Sequence, residues 1–275
     1  MRTRTFELDF EAVRKGFRMA ASTYDAAAGL QHRIESDLIE RLSLLDLRPE
    51  WILDLGCGTG HAGPSLARHY PRAGIIGLDA AFEMLHWKQA QPDRHSAALC
   101  ADARALPLAP SSMDLVFSNL LLQWFDDPTA ALSEVYRILR DRSAFLFATF
   151  GPRTFQELRE AWSQVDTAPH VSAFLDGPTW GGLLMREGFV EVVLDVDIVL
   201  EEVADLKTLA NQLRQIGATN RHAQRARGLL GRTHFEMLTR AYEAMRRPGG
   251  GLPVTYEILY GLAWTPMRFA RPKGA

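Results

Sequence analysis

Apolar positions along the chain follow two rhythms. Between residues 31 and 46, "QHRIESDLIERLSLLD", Ile34, Leu38, Leu42 and Leu45 recur at helical spacing with charged residues opposite them. That spacing predicts an amphipathic helix. Five short apolar runs follow: "WILDLG", "AGIIGLD", "SAALCAD", "MDLVFSN" and "AFLFATF". Their near-continuous hydrophobicity suits strands covered on both faces. Helical stretches separate several of them. In "DDPTAALSEVYRILR", Asp127 is placed to cap a helix whose first residue is Pro128. Alternating strands and helices predict an α/β fold with a mostly parallel, doubly wound sheet.

The rhythm changes after residue 150. "TFQELREAWSQV" reads as a helix and "FVEVVLDVDIVLEEV" as another strand. A mainly helical stretch then precedes "VTYEILYGLAWT", a last strand that suits late and antiparallel insertion into the sheet. The expected organisation is N-terminal helices over 1–48, a core over 49–203, a helical lid over 204–248, and a final core strand with its tail over 249–275.

Chemistry enters at "LDLGCGTGHAG", residues 53 to 63. Gly58, Gly60 and Gly63 spell a dinucleotide fingerprint, whereas Asp54 with Gly56, Gly58 and Gly60 spells the D-x-G-x-G-x-G of S-adenosylmethionine enzymes. Glycines let a backbone pass close to a ligand at the strand ends. Asp79, ending the second strand, would grip ribose hydroxyls with either cofactor. Asp54 separates the two, since a carboxylate there would repel a pyrophosphate and attract a methionine ammonium. Asp102, after the third strand, can accept from an adenine amino group. Three carboxylates at successive strand ends suit a cationic ligand without phosphate, so the loop is expected to hold S-adenosylmethionine. A nicotinamide-dependent oxidoreductase survives only if Asp54 and Asp102 are structural.

Composition narrows the class further. The chain has 275 residues, 47% of them hydrophobic and 23% charged, with a formal net charge of −2. That balance argues against a protein coating nucleic acid. Cys57 and Cys100 are too few and too far apart for a disulfide framework or a zinc site. The opening "MRTRTFELDF" turns acidic without a long apolar stretch, so a secretory leader is not expected. "NLLLQWF" is too short to span a bilayer. No membrane association is expected, and residence in the cytoplasm is.

"ILDLGCGTG", "IIGLDAAFEML", "ADARALPLAPSSMDLVFSN" and "ALSEVYRILR", in that order over residues 50 to 150, resemble the class I S-adenosylmethionine-dependent methyltransferases. The resemblance implies a seven-stranded, Rossmann-like sheet with its last strand reversed. It implies Asp79 at the ribose, Asp102 at the adenine and Asn119 beside the methyl-transfer pocket, with Ala80 and Ala103 as further cofactor-binding positions.

The acceptor is approached by elimination. A neutral hydroxyl acceptor usually wants a general base, while a carboxylate is already ionised at neutral pH. Among eight histidines, no compelling pairing with an acid near the strand ends is evident. His61 reads as a helix-surface residue and His170 as the better catalytic candidate. The missing base leans toward a carboxylate acceptor. "RQIGATNRHAQRARGLLGR", residues 214 to 232, carries five arginines and no acid. It is either a solvated face or a dock for an acidic partner.

"RMAASTYDAAAGLQ", "SNLLLQWFDD", "FGPRTFQELREAW", "LRQIGATN" and "LPVTYEILYGLAW" together look like the malonyl-[acyl-carrier protein] O-methyltransferases of biotin synthesis, from about residue 14 to 264. That similarity implies methylation of the free carboxylate of a malonyl thioester on an acidic acyl-carrier protein or on coenzyme A. It implies that Tyr24 closes over the cofactor, that Gln123 and Trp124 line the acceptor pocket, and that Arg153, Arg214 or Arg225 meets the malonyl carboxylate. Two other readings stay open. One is a methyltransferase of a small free acid such as trans-aconitate. The other is a cofactor-binding assembly factor similar to the one that hydroxylates an arginine in mitochondrial complex I assembly.

Overall fold

In the computed structural model, which describes residues 8–89, 96–219 and 231–267, the apolar runs form the strands of one sheet. Three helices come first, α1 (Phe10–Ala20), α2 (Tyr24–Ala27) and α3 (Gly29–Arg41). Then β1 (Trp51–Leu55), α4 (Gly63–His69), β2 (Gly74–Asp79), α5 (Phe82–Gln89) and β3 (Ser96–Cys100) alternate. They are followed by β4 (Met113–Asn119), α6 (Thr129–Ile138), β5 (Leu139–Phe150), α7 (Gln156–Ser163), α8 (Gly177–Glu187) and β6 (Val190–Val203). Helices α9 (Leu206–Gln215) and α10 (Arg232–Glu243) precede the last strand, β7 (Leu252–Trp264).

The seven strands lie in the order β3-β2-β1-β4-β5-β7-β6. Pairings from β3 through β5 are parallel, and β7 runs antiparallel to both its neighbours. The expected late, reversed strand is therefore β7. Because β1 has β2 on one side and β4 on the other, the strand order reverses between β1 and β4. A ligand crevice belongs at the carboxyl ends beside that point.

Continuous apolar runs arise because alternate residues enter two cores. Ile52, Leu115, Phe117 and Leu146 pack on one face with Ile34 and Leu38 of α3. Leu53, Leu55, Val116, Phe145 and Phe147 pack on the other with Leu132 and Val135 of α6 and Trp180 of α8. Full burial of such a side chain stabilises by about 1.5–3 kcal/mol, so each strand is held from both sides. Carboxylates start three of the helices: Asp9, Asp176 and Asp205 accept from the amides of Ala12, Thr179 and Thr208.

Two boundaries differ from the sequence pattern. Helix α6 begins at Thr129, with Pro128 just outside it and the Asp127 carboxylate accepting from the Thr129 amide at 2.9 Å. Strand β5 starts at Leu139, directly after α6, and crosses a register shift and a left-handed Arg142 (φ 55°) before reaching the run at 144. Among the described residues no helix is long and apolar enough to cross a membrane.

Candidate cofactor and acceptor site

Three cavities meet at the carboxyl ends of β1, β2, β4 and β5, and Tyr24 borders all three. The first, about 700 Å³ and open to solvent, lies over the glycine loop between Gly56, Gly58, Asp79, Ala80, Ala103 and Asn119. Gly56, Gly58 and Gly60 have φ of 76°, 52° and 81°, a left-handed backbone that glycine adopts without strain. A Cβ on Gly56 would sit 2.8 Å from that of Leu121, whereas the space beside Gly58 is open. The amides of Gly56 and Cys57 donate to the Leu78 carbonyl, fixing the loop to β2.

Asp79 is the polar centre of this cavity. One oxygen accepts from the Gly58 amide at 3.0 Å and the other from Ala81 at 2.8 Å. Each oxygen keeps a lone pair for a ribose hydroxyl. Burial pushes its carboxyl above the ordinary range, against the backbone hydrogen bonds that lower it. Asn119 donates to the Gln31 carbonyl at 3.1 Å, and its buried side-chain oxygen has no hydrogen-bond partner within the protein. Such an atom wants a ligand donor. Open glycines, a ribose-ready carboxylate and a waiting acceptor fit S-adenosylmethionine.

The Asp102 carboxylate is engaged within the protein. It is held by the Arg104 guanidinium, at 2.7 Å to the closer nitrogen, and by the Arg104 amide at 2.9 Å. Burial would raise the Asp102 carboxyl, but those bonds outweigh it and hold it low. Ala101 and Ala103, not the Asp102 carboxylate, line the cavity. Arg104 in turn lies 4.1 Å over the Phe10 ring, tying α1 to that side.

A narrower cavity behind the loop joins Asp54, Glu35, Thr59, His32 and His61. Asp54 is buried on β1. Nδ1 of His61 lies 2.6 Å from Glu35, and its ring stacks at 3.7 Å on His32. The hydrogen bond to Glu35 raises the His61 pKa, while burial and the neighbouring His61 lower that of His32. His61 thus stands in the loop ahead of α4, not on a helix surface.

The second large cavity, about 900 Å³, is the acceptor candidate. Phe17, Tyr24, Leu120 and Trp124 separate it from the first. Gln123, Phe150, Phe174 and Tyr256 line it, and Leu213, Ile216 and Thr219 from the insertion complete the wall. Gln123 is fixed by donating to the Leu120 carbonyl at 2.7 Å. Trp124 meets Phe17 edge-on at 5.3 Å. Burial, then Asp79, Glu35 and Asp25, drives the Tyr24 phenol far above its ordinary pKa, so it stays protonated. The strap carrying Tyr24 is tied down on two sides. Thr59 donates to Asp25 at 2.6 Å, and Thr23 donates to the Gln215 carbonyl at 2.8 Å.

Two of the arginines nominated for the acceptor, Arg153 and Arg214, do not line this cavity. Arg153 is exposed, its amide donating to Glu257 and its side chain to Gln156. Arg214 is exposed and donates to Asn211. On α9 it is Leu213 that turns inward, a quarter-turn away. Arg225 lies outside the described residues. Two His–acid pairs that sequence reasoning missed are present instead, His61–Glu35 and His170–Asp166. Neither had a periodic signal: Asp166 and His170 lie in the irregular stretch after α7, with Pro169 between them, and the first pair spans 26 residues.

Known proteins resemble this chain in family and in fold. Residues 53–147 match the methyltransferase-domain family. Over 98% of its length the chain is 39% identical to a malonyl-[acyl-carrier protein] O-methyltransferase of Gallionella capsiferriformans, covering 96% of that protein. It is 42% identical over 97% of its length to one of Methylovorus, covering 93%. Among solved structures, the YcgJ protein from Bacillus subtilis aligns at a TM-score of 0.61 and 15% identity, over 86% of this chain and all of that one. A Haemonchus contortus phosphoethanolamine N-methyltransferase in complex with S-adenosyl-L-methionine aligns at 0.57 and 16%, over 91% of this chain and 57% of that one.

Proposed function

The chain belongs to the malonyl-[acyl-carrier protein] O-methyltransferase family, and on that premise we propose that it methylates the free carboxylate of a malonyl thioester, giving the ester that primes pimeloyl synthesis for biotin. The thioester is carried by an acidic acyl-carrier protein or by coenzyme A, and the reaction takes place in the cytoplasm. The observation that carries this reading is the apolar acceptor cavity meeting the cofactor cavity at Tyr24, Phe17 and Trp124.

S-adenosylmethionine, when bound, supplies a sulfonium-borne methyl that an ionised oxygen attacks in line, with no proton to remove. The chain's own residues position and desolvate. Asp79 and the glycine loop hold the nucleoside end, and the carboxylates of Asp54 and Glu35 favour a cationic ligand. Tyr24 offers a ring face and a hydroxyl; its raised pKa rules it out as a base. Phe17 and Trp124 keep water from the junction, and Gln123 is held in place to meet the acceptor. Positioning of this kind supplies most of what such a transfer needs. Esterification removes the charge, so the product suits apolar surroundings better than the acid did.

A transfer assay with methyl-labelled S-adenosylmethionine tests the reading, offering malonyl-carrier protein, malonyl-coenzyme A and trans-aconitate side by side. Preference for a malonyl thioester is expected. Preference for trans-aconitate would move the chain to the small-acid enzymes. Cofactor binding with no transfer to any of the three would favour an assembly role.

A further inference from the structure

One wall of the acceptor cavity carries charges that the reaction just described does not use. His170 lines it, with Nε2 donating to Asp166 at 2.7 Å. Its ring is stacked on Trp162 with centroids 3.4 Å apart and planes within 8°. The histidine side chain is 14% exposed and Asp166 30%, so the imidazole is mostly covered while the carboxylate keeps contact with water. Since Asp166 engages Nε2, Nδ1 is the ring nitrogen left for a ligand. Among the described residues lining this cavity, His170 is the only side chain that can become a cation.

Arg159 stands behind the same wall. Its guanidinium donates to the carbonyls of Pro152, Thr154 and Ser172 at 3.1, 3.2 and 3.3 Å. Ser172 is itself a lining residue, two positions from His170. Among the described residues Arg159 makes no ion pair, so three neutral carbonyls surround a half-buried positive charge. Burial lowers its pKa with no acid to offset the effect. Asp166 faces both His170 and His234, whereas Arg159 has only neutral carbonyls around it.

We propose that His170, oriented by Asp166 and Trp162 and backed by Arg159, receives the carboxylate of the acceptor and sets the specificity of the cavity for an acid. Under the reading above, on which this rests, that acid is the malonyl group. The Nδ1–H donates to one carboxylate oxygen and leaves the other for the methyl. Because the acceptor loses its charge as the reaction proceeds, this contact is strongest with the substrate and weaker in the transition state. Removing it therefore weakens acceptor affinity without slowing the chemical step.

The test is a comparison of malonyl- and acetyl-carrier protein binding by calorimetry, with S-adenosylhomocysteine bound, for the wild type, His170→Gln and His170→Phe. The phenyl ring preserves the stack on Trp162 while removing both nitrogens, so it serves if the glutamine variant does not fold. Loss of a charge-assisted hydrogen bond should weaken malonyl binding by about tenfold or more. Acetyl-carrier and S-adenosylhomocysteine affinities should stay within about threefold. In steady state the malonyl KM should rise while kcat does not fall. A folded variant that keeps the wild-type preference for malonyl over acetyl overturns the proposal. Wild-type transfer to malonyl-carrier protein checks the underlying reading separately, and its absence would remove both.

Discussion

Replacing Asp79 by Asn separates what its carboxylate does for the cofactor from what it does for the fold. Both oxygens accept a backbone amide, from Gly58 and Ala81, and Asp79 lines the cofactor cavity. A hydrogen bond to a charged acceptor contributes about 1.5–3 kcal/mol. Losing one from a ribose hydroxyl should raise the dissociation constant roughly 10- to 150-fold. The effect on the fold has two opposed parts. Burial raises the folded-state pKa of Asp79, so the folded protein holds that proton to higher pH than the unfolded chain. The ionised group therefore costs stability at neutral pH, a cost absent below the unfolded pKa near 4. Asparagine removes that cost. It also turns an amino group toward one of the two amide donors, at about 1–3 kcal/mol. The parts offset, so the ligand-free melting temperature should move by no more than about 4 °C. Calorimetry with S-adenosylhomocysteine and a thermal melt without ligand read the two effects. Asp102→Asn is the internal contrast: its carboxylate is spent on Arg104 and does not line the cavity, so its effect on affinity should be smaller. A cooperatively folded Asp79→Asn protein with affinity within threefold of wild type would refute the argument. So would a larger loss from Asp102→Asn.

Two further predictions concern the frame around the site. A Cβ on Gly261 of β7 would lie 2.2 Å from the Phe147 ring, which is wedged between Phe145 and Trp180; Gly261→Ala should cost about 1–3 kcal/mol, and a melt at or above the wild-type temperature would contradict that packing. Glu134 accepts from the Leu106 amide at 2.6 Å and from Arg137 at 2.7 Å, fixing the loop after Asp102. The Arg137 hydrogen bond holds the Glu134 carboxyl below its ordinary range. Its stabilisation is thus present above the unfolded pKa near 4.3 and lost as pH falls through the lower folded value. Glu134→Gln should cost about 1–3 kcal/mol at pH 7, and urea titrations should find that gap closing below about pH 4; a gap constant down to pH 3 would rule out the ion-paired carboxylate as its source.

Local features made the core legible from sequence. Buried parallel strands read as short apolar runs because both faces of each are covered, and the glycine loop announces itself because only glycine tolerates three left-handed positions in five residues. The direction of a side chain is another matter. "RQIG" advertises Arg214 as a cation near the acceptor, yet adjacent residues on a helix point about 100° apart, and burying Leu213 and Ile216 turns Arg214 outward. The partnership of Asp102 with Arg104, two residues on, arises in a tight turn that periodicity does not encode. His170 and Asp166 meet across an irregular, proline-containing stretch after α7 that helical spacing does not describe. His61 and Glu35 meet only because α3 packs beside the glycine loop.

The insertion owes its role to where it leaves the sheet. Both β5 and β6 run antiparallel to β7, so they point the same way. The end of β6 at Val203, paired with Leu252, therefore emerges on the same edge as Phe150 at the end of β5. Any segment between β6 and β7 must start on the edge where the cofactor loop lies, and α9 accordingly delivers Leu213 and Ile216 to the acceptor cavity. Such a segment can reshape the acceptor side without touching the cofactor residues on β1 and β2. It is nonetheless tied to the cofactor side. Gly217, at φ 75°, passes so close to α1 that a Cβ would lie 2.9 Å from the Gly16 carbonyl, and Gln215 accepts from Thr23 beside Tyr24. The acceptor wall and the segment carrying Tyr24 therefore share contacts, and a substitution at Gly217 is felt by both.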